Sequence, residues 1–319
     1  MSDKFMSTAE AVDKFIHDGD QIALGGFTIN RNPMSLAREI VRQHKKDLYL
    51  VVHSHGQALE LLIGAGCVKR LELAYGGVAR FAPTGQRFKK AFLEKSIEVE
   101  DYTNYQMTLR FMAGAMGLPF IATTSGLQTD VVKVSGFSPA TRKQEGVPDE
   151  KLTVIKNPID PESGDVVILP PLNPDVTLLH AQYAGDEGTI RMEGLSFADI
   201  EQAKAAKHVL VSCEHVVPEE MLRREPDRNC LPPFLVDAII PTPYGAHPTG
   251  CYMFYDYDPT HLNLFKQMAR DDAMFQQYLD EWVMPLATQE EYLDKVGASS
   301  LVRIKANPFI GYAPGMDRS

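Results

Sequence analysis

Short apolar runs alternate with segments of helical periodicity along most of the chain. In residues 7–18 the apolar side chains recur at helical spacing, and Ser7 followed by Glu10 fits a capping box at the start of a helix. Residues 21–24 then predict a short buried strand, which ends at a pair of glycines. The first 26 residues therefore predict a helix followed by a strand.

The same alternation continues to the end of the chain. Further strands are predicted at 48–52, 68–74, 166–169, 176–180 and 208–213, and further helices at 33–41, 58–63, 83–95, 103–116, 199–206, 262–279 and 290–296. This rhythm predicts an α/β fold with an open, mostly parallel sheet and helices on both faces. Because the sequence has no internal repeat and no break in composition, we expect one large domain over residues 1–319.

One segment departs from the alternation. Between Val147 and Pro174, proline and glycine cluster around short apolar runs. This composition predicts a long excursion that contains strands of its own, and it does not resemble a low-complexity linker.

Composition and charge narrow the classes of function. The 319 residues include 42 acidic and 32 basic side chains, which gives a formal charge of −10. An acidic chain without a long basic run is poorly suited to nucleic acid or to an anionic membrane. No apolar stretch approaches the ~18 residues of a membrane-spanning helix, and no leader-like segment opens the sequence. We therefore expect a cytoplasmic protein.

The four cysteines stand far apart and form no C-x-x-C pair. A zinc site needs closely spaced thiolate or imidazole ligands, so we expect no metal site. Each cysteine is instead expected to pack as a small apolar residue in a reducing compartment. The four positions are Cys67, Cys213, Cys230 and Cys251.

The end of the first predicted strand is the most informative site. Gly25 and Gly26 follow it, and glycine lets the backbone approach a ligand closely. Ligands of open α/β sheets bind at this edge, where backbone N–H groups suit an oxyanion or a carboxylate. A tight turn from strand to helix explains the same glycines, so both interpretations stay open. The G-x-G-x-x-G fingerprint of dinucleotide-binding folds is absent here.

This stretch resembles the first signature of the type I coenzyme A transferases. Arg31 replaces the usual glycine two residues before Pro33, as in the similar glutaconate CoA-transferase α subunits. The resemblance covers nearly the whole chain. The residues that carry it are Asp18, Gly19, Ile22–Phe27 and Pro33, then Gly117–Phe120, then His180–Gln182 with Gly188–Arg191, and finally Pro243–Pro248 with Cys251, Tyr252 and Tyr255–Asp258.

The resemblance implies a divided active site. In this family a glutamate of the β subunit, commonly within Ser-Glu-Asn-Gly, attacks the acyl-CoA thioester and forms a glutamyl-CoA intermediate. No Glu-Asn-Gly occurs in this sequence. The chain is therefore expected to be an α subunit without a catalytic residue of its own, inactive without a β partner in an α2β2 or larger assembly. Coenzyme A enters as a thioester substrate, and no tightly bound cofactor is expected.

The resemblance also implies which residues line the substrate site. These are the Gly25–Gly26–Phe27 loop with Arg31, and the loop after the third strand with Gly76, Gly77 and Arg80. The glutaconate-type enzymes suggest a dicarboxylate-like acid, and Arg80 is suited to pairing with a carboxylate. The alternative to carboxylate pairing is that Arg80 is a solvated loop residue. Because the two glycines carry no side chain, a bulkier acid also stays open.

A second group with this architecture hydrolyses thioesters during steroid ring opening. Its α chains carry an acid near the start of the helix that leads to Leu-Pro-Phe. Here that place holds Asn104, which cannot act as a general base. Glu100 and Asp101 lie nearby and could take that role, but they are expected to act as favourable charges at the helix N-terminus. The hydrolase therefore ranks second. A non-enzymatic binding or regulatory protein of the same fold is the third hypothesis.

Three further features are expected to be structural. Glu214 follows a predicted strand, but the residues after it do not match the nucleophile motif. His247 has no partner at the spacing of a catalytic triad, so a hydrogen-bonded histidine in a turn is the preferred interpretation. A small basic cluster suits either CoA phosphates or a solvated helix face, the latter being more common; it consists of Arg87, Lys89 and Lys90.

Overall fold

The computed structural model describes residues 3–318. Its strands are β1 Gln21–Leu24, β2 Leu48–His55, β3 Val68–Gly76, β4 Glu98–Asp101, β5 Ile121–Thr123, β6 Thr153–Lys156, β7 Asp165–Leu169, β8 Val176–Gly185, β9 Ile190–Arg191, β10 His208–Val217 and β11 Ala238–Pro241. Its α-helices are α1 Thr8–Phe15, α2 Met34–Arg42, α3 Gln57–Gly64, α4 Gln86–Glu94, α5 Asn104–Ala115, α6 Asp199–Ala205, α7 Glu219–Arg223, α8 Pro259–Met268, α9 Asp272–Trp282, α10 Gln289–Val296 and α11 Ala298–Ile304.

Eight strands form the main sheet, in the order β11–β10–β8–β1–β2–β3–β4, with β9 attached to β8. Neighbours along this order are parallel, and only the β8–β9 pair is antiparallel. Along the chain, β2, β3 and β4 follow one another on one side of β1. Strands β8, β10 and β11 come later and lie on its other side. The order of strands thus reverses between β1 and β8, and ligands bind at the carboxyl ends of strands beside such a reversal.

Helices cover both faces of this sheet, as the sequence predicts. On one face α2 and α3 bury side chains such as Leu36, Ile40 and Leu59 against the strands. On the other face, Met107 and Phe111 of α5 pack with Tyr49 and Val51 of β2. The predicted mostly parallel α/β fold is confirmed.

The excursion between residues 147 and 174 contains strands, as predicted. Strands β5, β7 and β6 form a separate three-stranded antiparallel sheet, in that order. The predicted strand at 166–169 is β7, which begins one residue earlier.

The carboxyl-terminal region differs from the prediction of one long helix over 262–279. The segment contains two helices, α8 and α9, because the Asp271 side chain accepts hydrogen bonds from the amides of Ala273 and Met274 and starts a new helix. The short elements β4, β11 and α11 are also present without having been predicted. Within residues 3–318, the structure contains no helix with the length and apolar character needed to span a bilayer.

Candidate active site

The Gly25–Gly26–Phe27 loop lies at the carboxyl end of β1, where the strand order reverses. A side chain on Gly25 would place its Cβ 2.3 Å from Cδ2 of Leu179. Gly26 has φ +83°, and a Cβ there would lie 2.4 Å from the carbonyl oxygen of Asn30. Close packing against the Leu179 side chain therefore requires Gly25, whereas Gly26 is required both by backbone contacts and by a conformation that other residues rarely adopt.

The loop does not offer the N–H donors that the sequence suggested for an oxyanion. The amides of residues 25–28 all donate within the protein: Gly25 to the Leu178 carbonyl at 2.9 Å, Gly26 to Asp199 Oδ1 at 2.8 Å, Phe27 to the Asn30 carbonyl at 2.8 Å, and Thr28 to the Ser54 carbonyl at 3.1 Å. These donors are saturated, so the expectation of free donors from these four residues is wrong. These four hydrogen bonds instead hold the loop in one conformation at the carboxyl end of β1.

A buried ion pair stabilises the Gly25–Gly26–Phe27 loop. Arg31 is only 2% exposed, and its Nη1 lies 2.9 Å from Asp199 Oδ2. Its Nη2 also donates to the Leu195 carbonyl at 2.6 Å, which ties the β9–α6 connection to the loop. Burial raises the pKa of Asp199, while the Arg31 guanidinium opposes that rise. Arg31 also contributes to the wall of a cavity of about 320 Å³ beside the loop.

Phe27 extends from this loop as one side of an aromatic wall. Its ring stacks on Phe197, with 4.7 Å between centroids and 13° between planes. The imidazole of His53 lies 5.7 Å away on β2, and burial lowers its pKa. Since Phe27 is only half-buried, this wall offers apolar surface at the edge of the sheet.

Asn104 joins the same edge from α5. It is the exposed first residue of that helix, whose N-cap is Thr103. The Ser54 hydroxyl at the end of β2 donates to Asn104 Oδ1 at 2.5 Å. Ser54 in turn pairs with Tyr75 of β3. The first, second and third strands thus bring Phe27, Asn104 and the loop after β3 together.

The two glycines at the end of β3, Gly76 and Gly77, allow close packing as well as leaving room in the loop. A Cβ on Gly77 would lie 2.5 Å from both the Pro83 carbonyl and the Tyr75 hydroxyl, and one on Gly76 would lie 3.1 Å from Phe88. A Cβ on Gly56 would meet the carbonyl oxygens of Thr28, at 2.3 Å, and of Gly77, at 3.0 Å. The loops after β1 and β3 are therefore in close contact across Gly56.

Arg80 is bound to the protein's own carboxyl-terminal segment. Its Nη2 donates to the Asp317 carbonyl at 2.7 Å and to the Tyr257 hydroxyl at 3.3 Å. Arg80 is exposed, as the solvated interpretation expects, and these contacts connect the loop after β3 to the carboxyl-terminal segment. Its pairing with a substrate carboxylate stays a prediction.

The acidic side chains near this edge are engaged in other contacts. Glu214 is buried and accepts hydrogen bonds from Tyr255 Oη at 2.6 Å and from the Tyr244 amide at 2.8 Å, with His180 Nε2 at 2.7 Å. Glu100 lies in β4, where it pairs with Arg142 and accepts from the Gly136 amide at 2.6 Å. Its expected role as a charge at a helix N-terminus is therefore wrong.

Glu214 also belongs to a buried group with the donor types of a metal site, together with His180 and Cys251. Burial raises the pKa of the Cys251 thiol well above its ordinary value, which disfavours the thiolate that a metal requires. The hydrogen bonds of Glu214 and His180 give this group a structural role.

Two other sequence features also have structural partners. His247 is buried, with Nδ1 2.8 Å from the Tyr292 hydroxyl and Nε2 3.1 Å from Asp258. In the basic cluster, Arg87 and Lys90 both form ion pairs with Asp272 of α9. These contacts favour the structural interpretations of both features.

The parallel sheet, the glycine loop at its point of reversal and the aromatic wall define an α/β protein with a candidate binding surface at the sheet edge. Residues 5–241 match the family described as Coenzyme A transferase. The chain belongs to this family.

Its similarity to individual members extends over nearly the whole length. It is 37% identical to the A subunit of the glutaconate CoA-transferase of Acidaminococcus fermentans over 97% of each chain. The crystal structure of glutaconate coenzyme A-transferase from that organism superimposes with a TM-score of 0.94 over 98% of each chain. The A subunit of the 3-oxoadipate CoA-transferase of Pseudomonas knackmussii is 30% identical over 92% of this chain and 98% of its own.

The hydrolase group is also related, at a greater distance. The cholesterol ring-cleaving hydrolase IpdA subunit of Rhodococcus jostii is 28% identical over 87% of this chain and 90% of its own. The sequence-based assignment to the CoA-transferases is therefore confirmed, and the chain is a CoA-transferase that is similar in sequence and structure to the glutaconate enzyme.

Proposed function

We propose that this chain is the α subunit of a heteromeric enzyme that moves coenzyme A between an acyl-CoA and a carboxylic acid. The observation that carries the proposal is the sequence identity of this chain, 37% and 30% over almost its entire length, with the A subunits of two named CoA-transferases. Those names support a second type of subunit as partner, and an α2β2 assembly is the simplest arrangement. The proposed nucleophile is a glutamate of that partner.

The proposed reaction conserves the energy of the thioester. The partner's glutamate attacks the acyl carbonyl and forms a C–O bond, the C–S bond breaks, and CoA leaves as a thiolate, so that a mixed anhydride of the acyl group and the glutamate remains. The thiolate then attacks the glutamyl carbonyl of the anhydride and releases the first acid as a carboxylate. The incoming carboxylate repeats these steps in reverse and leaves as the new acyl-CoA. No external oxidant, reductant or net proton transfer is needed.

The α chain contributes surfaces to this reaction. The saturated Gly25–Gly26 loop gives a fixed floor, and Phe27 with Phe197 gives an apolar wall beside it. An apolar wall keeps water away from an anhydride, which protects the intermediate from hydrolysis. Asn104 Oδ1 already accepts from Ser54, so its amide N–H groups are the part suited to a substrate oxygen.

The test is to purify the chain both alone and in complex with its β subunit, then to incubate each sample with acyl-CoA. Hydroxylamine or borohydride should then trap a glutamyl-CoA adduct on the β subunit, and the α chain alone should be inactive. An adduct on the α chain, or full activity without the partner, would refute the proposal. Release of free acid without any acceptor carboxylate would instead assign the complex to the hydrolases.

A further inference from the structure

An apolar cleft opens beside the loop after β3. It has a volume of about 450 Å³, within the ~300–1,000 Å³ typical of small-molecule sites. Its walls come from the ends of β3 and β4, from α4 and from the segment near residue 134, and they include Leu73, Tyr75, Phe88, Phe92 and Val134.

This cleft lies beside residues of the candidate active site. Tyr75 and Gly76 line it, and Tyr75 pairs in the sheet with Ser54, which bonds to Asn104. The next residue, Gly77, contacts the loop after β1 across Gly56. A substrate held against the Phe27 wall therefore has this cleft as the adjoining space at the sheet edge.

The charges around the cleft do not suit a second carboxylate. None of its lining residues is lysine, arginine or histidine, and Asp101 is the one charged side chain among them. Lys151, the cation that contacts Asp101 at 3.2 Å, is buried and also donates to the carbonyls of Val131 and Val134 at 2.7 and 2.8 Å. A carboxylate entering the cleft would thus meet a like charge and lose its hydration without gaining an ion pair.

We propose, on the basis of the function proposed above, that the cleft binds the uncharged apolar tail of the transferred acid. The substrate class is then a monocarboxylic acid with an aromatic or branched aliphatic side chain. This distinguishes the chain from enzymes whose names specify the dicarboxylates glutaconate and 3-oxoadipate. The Phe88 and Phe92 rings, 6.3 Å apart, supply aromatic contact surface for such a tail.

The first experiment compares acceptor acids on the complete complex, which includes the β subunit. Acetyl-CoA is the CoA donor, and phenylacetate, 3-methylbutanoate, glutarate and propionate are the acceptors. Burying a phenyl or branched side chain should raise kcat/KM for the first two acids over glutarate by about 30-fold or more. A preference for glutarate would overturn this inference and leave the proposed function intact. Transfer to none of the acids would also overturn this inference, while trapping of the glutamyl-CoA adduct decides the proposed function separately.

The second experiment tests the location of the selectivity. Val134, 58% exposed at the rim, is replaced in Val134→Trp to fill the cleft, and Val154→Trp on β6 is the control, since Val154 is 41% exposed and does not line the cleft. The first variant should lower the ratio of phenylacetate to propionate transfer by about tenfold, and the control should leave it unchanged. Because a folding defect would lower both rates together, an unchanged ratio in Val134→Trp would contradict the proposed site.

Discussion

The loop after β1 and the cleft after β3 lie on the same edge of the sheet but are built differently. The loop has four saturated amides, a buried Arg31–Asp199 ion pair and Gly26, which no other residue can replace without displacing backbone. The cleft is lined by side chains, and Phe92 and Val134 are more than half exposed. In the function that we propose, the fixed part holds the reacting groups and the adaptable part selects the acid.

The largest expected effect comes from breaking the fixed part. In Gly26→Ala the new Cβ would collide with the carbonyls of Asn30 and Arg31, so we expect a loss of about 3 kcal/mol or more in the free energy of unfolding. Displacement of the loop should also reduce CoA transfer by about 100-fold. Urea denaturation and the rate of the complex measure the two effects.

The matched control is Gly66→Ala. Gly66 also has a positive φ, +75°, but nothing lies within 4 Å of its hypothetical Cβ. It should cost only about 1 kcal/mol, from backbone strain alone. Equal losses in the two variants would show that the loop after β1 is less constrained than its contacts indicate.

A smaller effect, which depends on pH, comes from His55 beneath the loop. Its Nε2 donates to the Gly25 carbonyl at 2.9 Å, and burial lowers its pKa to about 4. Because this pKa is depressed, the contribution of His55 to stability is complete above pH ~6.5 and is lost as the pH falls toward 4. His55→Gln should therefore reduce the acid-induced loss of unfolding free energy by about 3 kcal/mol.

Denaturant titrations at pH 7, 5.5 and 4 would measure this slope. His17→Gln is the control, since the His17 side chain is 68% exposed. A slope in His55→Gln that equals that of the wild type would contradict the contribution of His55.

The smallest effect is expected for Arg80→Ala, which sharpens the comparison at the cleft. Loss of the contacts with Asp317 and Tyr257 at this exposed position should cost less than about 1 kcal/mol. The KM for the acceptor acid should change by less than about threefold, as in the control Arg303→Ala on α11. A rise of more than tenfold, the size of a lost charge-assisted hydrogen bond, would place Arg80 in the substrate site.

The sequence predicted most of the fold because periodicity and glycine or proline positions report local structure. It predicted α2, α5 and five strands of the main sheet, namely β1, β2, β3, β8 and β10. It did not predict the interruption at Asp271, whose cap is visible only as one more polar residue in an amphipathic segment. The strands β4 and β11 are four residues each, too short for a clear pattern.

The candidate site was predictable only where a motif marks it. The Gly25–Gly26–Phe27 loop was found from its residues and from the family resemblance. Asp199, which holds that loop, lies 173 residues from Gly26 and belongs to no motif. The use of Arg80 by the carboxyl-terminal segment likewise depends on a contact between residues 237 positions apart. Such contacts follow from tertiary packing, which local patterns do not encode.

The reversal of strand order has a consequence for how the polypeptide matures on the ribosome. Strand β1 lies between β2 and β8, and Val176 of β8 pairs with Ile22. At the ~5–20 residues per second of protein synthesis, the 154 residues between these positions take roughly 8–30 seconds to emerge. During that interval one edge of the hydrophobic strand β1 has no neighbouring strand. A chaperone that protects this chain would therefore act on its nascent amino-terminal half.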